Sequence, residues 1–130
     1  MKRLTSLYLN NNQISDLSPL KELPQLKGLR LSHNQVSDLS PLKELTQLES
    51  LWLWDNRVSD VSALKELKQL KNLDLTKNKI SDMGALVSAL KELKQLEYLN
   101  IRGNPDLTKA QIAELQKALP KCKIYSNPTK

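Results

Sequence analysis

The sequence contains a single cysteine, Cys122, and no phenylalanine. One cysteine excludes an internal disulfide framework and any metal site built from several thiolates. Hydrophobic residues nevertheless make up 39% of the chain. With phenylalanine absent, the core of the protein therefore has to be built mostly from leucine.

Long apolar segments are also missing. No hydrophobic run approaches the length that crosses a membrane, and the first residues, MKRLTSLYLN, lack the apolar region of a signal peptide. If the chain is complete, we expect a cytoplasmic location and no membrane partner. Its length predicts a single domain over residues 1–130.

The net charge of +6 permits anionic partners without indicating them. Many of the lysines lie in recurring LKEL and LKQL units. In such units a solvated helical face is the favoured interpretation.

The dominant feature is a repeat, L-x-x-L-x-L-x-x-N. Copies begin at Leu4, Leu26, Leu48 and Leu70, at a constant spacing, and a fifth begins at Leu96 after a somewhat longer interval. Self-similarity at such a period is typical of solenoids, in which each unit contacts only its neighbours.

A sixth, degenerate copy is predicted in LPKCKIYSN, starting at Leu119. Its further motif positions are Cys122, Ile124 and Asn127. This copy belongs to a predicted C-terminal cap over residues 105–130.

The cap also contains a predicted helix. Thr108 and Gln111 fit a capping box at its start, and Pro120 ends it. Cys122 is expected to be buried in this cap. At the other end only Met1, Lys2 and Arg3 precede the first repeat, so the edge of the first strand is predicted to be uncovered.

The spacing explains why the units stack. In L-x-L both leucines point to the same side of a short strand, and stacked units bury a continuous leucine column. Parallel strands need a return segment, which SDLSPLKELPQ supplies, with Ser18 as the predicted N-cap and Pro19 at the first helical position. The longer SDMGALVSALKELKQL is predicted to form a true α-helix.

The motif resembles the leucine-rich repeat family in its short bacterial form, as in the internalins and the phosphatase-regulatory repeat proteins. The resemblance covers Leu4 to Asn127. It implies an α/β fold, a right-handed solenoid with six short parallel strands on the concave side. Turns of 3₁₀ or α type are expected on the convex side, and a helix and a strand form the cap.

A recurrent asparagine follows each strand and is predicted to be structural. Its amide can satisfy backbone groups inside the turn that water does not reach. The members of this asparagine ladder are Asn12, Asn34, Asn56, Asn78, Asn104 and Asn127.

A recurrent aspartate stands in the SD dipeptide of each convex turn. It could be read as a calcium ligand, but local capping hydrogen bonds are the favoured interpretation. These aspartates are Asp16, Asp38, Asp60 and Asp82.

The repeats separate a constant scaffold from a variable surface. The sequence of the convex segments is nearly identical between units, whereas the residues that point to the concave face change from unit to unit. Trp52 and Trp54, the only tryptophans, point outward there because Leu51 and Leu53 fill the inward positions. The predicted ligand-binding residues are Tyr8, Arg30, Trp52, Trp54, Asp55, Arg57, Asp74 and Tyr98.

Residues for catalysis are scarce. The only histidine, His33, has Ser32 and Asp55 as candidate neighbours, but nothing in the sequence supplies an oxyanion site or a deep pocket. A metal site needs clustered ligands, and one histidine, one cysteine and scattered carboxylates do not provide them. We therefore predict no enzyme activity, no cofactor and no metal.

Large aromatic residues ringed by polar groups predict non-enzymatic recognition of a protein or peptide, centred on Trp52 and Trp54. The tryptophans could instead simply stack on Arg30 and bind nothing specific. Another alternative is a homodimer formed through the uncovered N-terminal edge or through the tryptophans. The regular repeats are also compatible with an engineered scaffold that has no native ligand. Nucleic acid is disfavoured because acidic residues interrupt the positive side chains of this face.

Overall fold

The computed structural model describes residues 4–104 and 108–126. Six short strands form one parallel sheet, in which the spatial order follows the chain order. They are β1 (Ser6–Tyr8), β2 (Gly28–Arg30), β3 (Ser50–Trp52), β4 (Asn72–Asp74), β5 (Tyr98–Asn100) and β6 (Lys123–Tyr125). The predicted α/β solenoid with six parallel strands is confirmed.

The return segments lie on the opposite side of the core. Three are 3₁₀ segments, at Ser18–Glu22, Ser40–Glu44 and Ser62–Glu66, and the fourth and fifth contain helices α1 (Met83–Leu90) and α2 (Lys109–Ala118). The prediction of an α-helix in the longer fourth unit is therefore confirmed. Of the helices in the described part of the chain, none is long and apolar enough to span a bilayer.

Leucine side chains fill the interior between the sheet and the return segments. The central residues of the inner strands, Leu29, Leu51, Leu73 and Leu99, are completely buried. Their counterpart in the first repeat, Leu7, is only partly buried. The leucine column is therefore fully packed in the middle of the solenoid and partly open at β1.

The asparagine ladder joins consecutive repeats. Asn56 donates from Nδ2 to the carbonyl oxygens of Leu31 and Leu53, at 2.8 and 3.2 Å, and its Oδ1 accepts the backbone N–H of Val36 at 2.9 Å. Each buried member bonds to the preceding repeat in this way, namely Asn34, Asn56, Asn78 and Asn104. Asn12 differs, because it is exposed and donates within its own turn. Asn127 lies outside the described residues.

The predicted N-cap at Ser18 is wrong. Ser18 is the first residue of its 3₁₀ segment, and its backbone N–H donates to Oδ1 of Asp16 at 2.9 Å. The aspartate of the SD dipeptide is therefore the residue that accepts the backbone N–H at the start of the 3₁₀ segment. Asp38 and Asp60 make the equivalent bond in their own repeats, and Asp82 caps α1. The favoured interpretation of these aspartates as local caps is confirmed.

We expect Asp38→Ala to lower the melting temperature at neutral pH but not in acid. The Ser40 hydroxyl and backbone N–H both donate to Asp38, and these bonds hold the pKa of its carboxyl below the usual value. A carboxylate with a lowered folded-state pKa stabilises the fold above the unfolded pKa, and this contribution disappears as pH falls through the folded pKa. Thermal unfolding of both proteins at neutral pH and at about pH 2 measures the effect. A difference in melting temperature that does not change with pH would contradict it.

The sixth strand has a different register from the one predicted. The sequence motif places Ile124 opposite Ile101, but in the sheet Ile124 pairs with Leu99. The sixth repeat is therefore displaced by two positions along the chain from the one predicted to begin at Leu119. As a result Tyr125 lies beside Asn100 on the concave face.

The cap helix forms as expected. Thr108 and Gln111 make both hydrogen bonds of the capping box, and the helix ends at Ala118. Cys122 is buried against the end of the core, and burial raises the pKa of its thiol to about 11. The prediction of a buried, unreactive cap cysteine agrees with this environment.

Candidate functional site

The strand register arranges the concave residues in rows that cross the sheet. Strands lie about 4.8 Å apart, so side chains at equivalent positions of neighbouring repeats come into contact. The row formed by the last residue of each strand contains most of the large polar and aromatic groups. In order it reads Tyr8, Arg30, Trp52, Asp74, Asn100 and Tyr125.

Trp52 and Tyr98 form an aromatic cover over β4. Their ring centroids are 5.8 Å apart, although they belong to β3 and β5, which are separated by β4 and hence by about 9–10 Å. The rings therefore lean toward each other above the intervening strand. Tyr98 also contacts Tyr125, at 5.3 Å, so three aromatic side chains continue to the end of the sheet.

The cover explains the unusual environment of Asp74, the last residue of β4. Asp74 is only 8% exposed although its side chain points to the concave face. Its Oδ1 accepts the backbone N–H of Thr76 at 2.9 Å. Within the described ranges, no nitrogen of lysine, arginine or histidine lies within 4.0 Å of this carboxylate.

Trp54 lies two residues after Trp52 and remains 42% exposed. The ring of His33, one repeat earlier, contacts it with a centroid distance of 5.2 Å. His33 is itself held by Asp55, since its Nδ1 and the Asp55 Oδ2 are 2.9 Å apart. Trp54 is thus fixed on one side by a hydrogen-bonded pair and open on the other.

A positive backbone φ positions this pair. His33 and Asp55 both have φ near +60°, in the left-handed region, as do Asn11 and Lys77 at the equivalent positions. Such a conformation costs a non-glycine residue about 1 kcal/mol or more. The fifth repeat has Gly103 there, with φ +73°. Although the residue at this position differs between repeats, the backbone forms the same turn after each of the first five strands.

The two tryptophans line one shallow pocket of about 260 Å³. Besides them its walls are formed by Asn10, Asn11, Arg30, Ser32, His33 and Asp74. Of the predicted ligand-binding residues, four therefore meet at this pocket: Arg30, Trp52, Trp54 and Asp74.

The other four predicted residues are not among those that line this pocket. Asp55 is hydrogen-bonded to His33, whose ring contacts Trp54. Tyr98 contacts Trp52. Tyr8 lies further toward β1, 64% exposed, with the guanidinium carbon of Arg30 at 4.5 Å from its ring centroid. Arg30 thus stacks on Tyr8. Arg57, which is exposed, follows the buried Asn56 and is not among the residues that line the pocket.

Five residues of the pocket and its aromatic extension are missing from the predicted binding set, namely Asn10, Asn11, Ser32, His33 and Tyr125. The sequence presents His33 only as a catalytic candidate, whereas its contacts with Asp55 and Trp54 give it a positioning role. The predicted register places Tyr125 in the row of Trp54, whereas in the sheet it lies beside Asn100. In the part of the chain that the structure describes, no group of three or more His, Cys, Asp or Glu residues is arranged to hold a metal ion.

The family model described as leucine-rich repeats matches this chain twice, over residues 2–44 and 46–88. Among solved structures, the internalin InlF of Listeria monocytogenes is 30% identical with a TM-score of 0.75, covering 99% of this chain and 44% of that chain. Internalin C2 of the same organism is 25% identical with a TM-score of 0.69, covering 99% of this chain and 66% of that chain. A leucine-rich repeat protein of Leptospira interrogans is 28% identical with a TM-score of 0.71, covering 95% of this chain and 37% of that chain.

This chain thus spans between 37% and 66% of the length of these three proteins. Among curated proteins, none matches the chain.

Proposed function

This chain belongs to the leucine-rich repeat family, and from that premise we propose that it binds a protein or peptide on its concave face, without enzymatic activity. The family and its internalin neighbours support a protein-binding repeat module. The contact region that we propose is the pocket lined by Trp52 and Trp54.

The observation that carries this proposal is the placement of the two tryptophans. The leucine column is complete without them, because Leu51 and Leu53 are fully buried beneath. Tryptophan is among the residues most enriched in binding hot spots, and a polar rim around such a residue excludes water on contact. Here the rim consists of Arg30, Ser32 and His33. Each indole could bury roughly 150–250 Å² against a partner.

We expect Trp52→Ala and Trp54→Ala to weaken binding of peptides selected from a random library on the wild-type protein. Each loss should be about 30-fold or more, since removing a hot-spot side chain costs about 2 kcal/mol or more. Isothermal titration of the selected peptides against each variant measures this loss, and circular dichroism confirms that the variants are folded.

A convex substitution is the matched control. Lys43→Ala removes an exposed side chain from the second 3₁₀ segment, on the opposite side of the solenoid, and should leave affinity within about two-fold. Unchanged affinity in both tryptophan variants would overturn the proposal.

A second candidate is self-association, favoured by the incomplete burial of the first repeat. Leu4, Leu7, Leu9 and Ile14 are only partly buried, and β1 is an edge strand of the sheet. A second copy stacked on this edge would cover these side chains and pair the strand. Light scattering at two well-separated concentrations distinguishes the candidates. Twice the monomer mass, maintained on dilution, supports self-association, whereas the monomer mass at both concentrations contradicts it.

A further inference from the structure

We propose that the pocket between Trp52 and Trp54 receives a basic side chain, lysine or arginine, of the bound protein, with the Asp74 carboxylate as its counter-ion. This inference rests on the proposed function, because it names the chemistry that the same face recognises. It is carried by the environment of Asp74 and by the aromatic rings around it.

Asp74 is a buried acid that has no cationic partner among the residues that the structure describes. Ionised side chains are rarely buried unless they are paired, because losing water costs several kcal/mol that only a counter-ion or several hydrogen bonds can offset. Asp74 has one backbone N–H from Thr76, and no basic nitrogen of the described residues lies within 4.0 Å. This is unexpected in a chain with 20 lysines and arginines. Because Asp74 lines the pocket, its carboxylate is available to a cation from outside.

A second polar group beside Asp74 is also unsatisfied. The hydroxyl oxygen of Thr76 is buried and, among the described residues, has no hydrogen-bond partner. Thr76 follows Asp74 by two positions, just beyond the end of β4. Asp74 accepts only one hydrogen bond from the described residues and the Thr76 hydroxyl oxygen accepts none, so both can accept further bonds from an ammonium or guanidinium group, which carries donors only.

The indoles add to the selection for a cation. The face of a tryptophan ring attracts lysine and arginine, and the attraction grows when the cation is removed from water. Both indoles line the pocket into which Asp74 opens. An apolar side chain would cover the carboxylate without pairing it, and an anion would be repelled by it. The pocket therefore discriminates in favour of positive charge.

Arg30 also lines the pocket, but its guanidinium is held elsewhere. It stacks on Tyr8 at 4.5 Å from the ring centroid. In the row of concave residues Trp52 stands between Arg30 and Asp74. The Arg30–Tyr8 contact shows that aromatic rings of this face accept a cation.

The probe for this inference is Nα-acetyl-lysine methylamide, compared with its neutral analogue Nα-acetyl-norleucine methylamide. Trp52 and Trp54 are the only tryptophans, so the intrinsic fluorescence of the protein reports directly on the pocket. We expect a saturable fluorescence change with the lysine compound and binding of the norleucine compound that is at least about ten-fold weaker.

The test variant is Asp74→Asn, which removes the charge and keeps an oxygen that can accept the Thr76 N–H. It should bind the lysine compound about ten-fold more weakly, with a melting temperature no lower than that of the wild type. Glu66→Gln makes the same change in net charge on the convex side and should bind as the wild type does. Equal binding of the two compounds, equal binding by Asp74→Asn, or no saturable change with the lysine compound would each overturn the inference.

The outcomes separate this inference from the proposed function. If the library peptides depend on both tryptophans but contain no basic residue, the cation pocket fails and concave-face recognition stands. If the lysine compound binds as expected while the tryptophan variants bind the library peptides unchanged, the proposed function fails and the cation pocket stands.

Discussion

Replacing Asn56 by alanine should lower the free energy of unfolding by about 3–5 kcal/mol. The substitution leaves the buried N–H of Val36 without its acceptor. It also removes one of the two asparagine donors from each of the carbonyls of Leu31 and Leu53, which keep their bonds to Asn34 and Asn78. The unsatisfied N–H costs about 1–3 kcal/mol, and each of the two lost hydrogen bonds to a carbonyl costs about 0.5–1.5 kcal/mol, because no water replaces them in the packed interior. Urea denaturation monitored by circular dichroism measures the loss.

Asn12 provides the matched control. It occupies the same motif position, but it is exposed, and among the described residues it bonds only to carbonyls of its own turn. Asn12→Ala should therefore cost about 1 kcal/mol or less, because water can replace those bonds. Similar losses for the two alanine variants would show that the ladder does not couple the repeats.

Leu51→Ala is expected to cost about 3–5 kcal/mol, at the upper end of the range for a buried leucine. Leu51 is completely buried in the third repeat, with neighbouring repeats on both sides, so the cavity has little freedom to collapse. The same denaturation experiment measures this effect.

Leu7→Ala makes the same chemical change at the edge. Leu7 is only partly buried and has a neighbouring strand on one side, so the loss should be smaller by about 1–2 kcal/mol. An equal or larger effect at Leu7 would contradict the picture of a core that is open at β1.

Most of the fold could be predicted because the period determines it. The spacing of Leu48, Leu51 and Leu53 specifies a short strand with one buried side, and repetition specifies parallel stacking. The fourth unit contains additional residues, about one helical turn in length, and its apolar residues keep helical spacing throughout. The helix there is predictable for this reason. These features depend on local spacing, which a single sequence contains.

The register of β6 could not be predicted in the same way. The two candidate registers are an even number of positions apart, so both keep Ile124 pointing toward the core. The end of the chain lacks the leucines that fix the register elsewhere, and α2 changes the length of the return segment. The choice therefore depends on how the cap packs against the fifth repeat.

The candidate site was predictable as a face but not as a set of contacts. Alternation along the strand places Trp52 and Asp74 on the concave side. It does not show that Trp52 and Tyr98 meet above β4, nor that Asp74 becomes buried beneath them. Those facts depend on side-chain rotamers and on the curvature of the sheet, which the repeat motif leaves open.

The most direct test of concave-face recognition is an NMR titration with a peptide selected on the wild-type protein. The two tryptophans give two indole N–H signals in a proton–nitrogen correlation spectrum. We predict that both signals shift as the peptide binds, while the backbone amides of the convex 3₁₀ segments stay in place. Saturable binding that moves convex amides and leaves both indole signals unchanged would contradict the account.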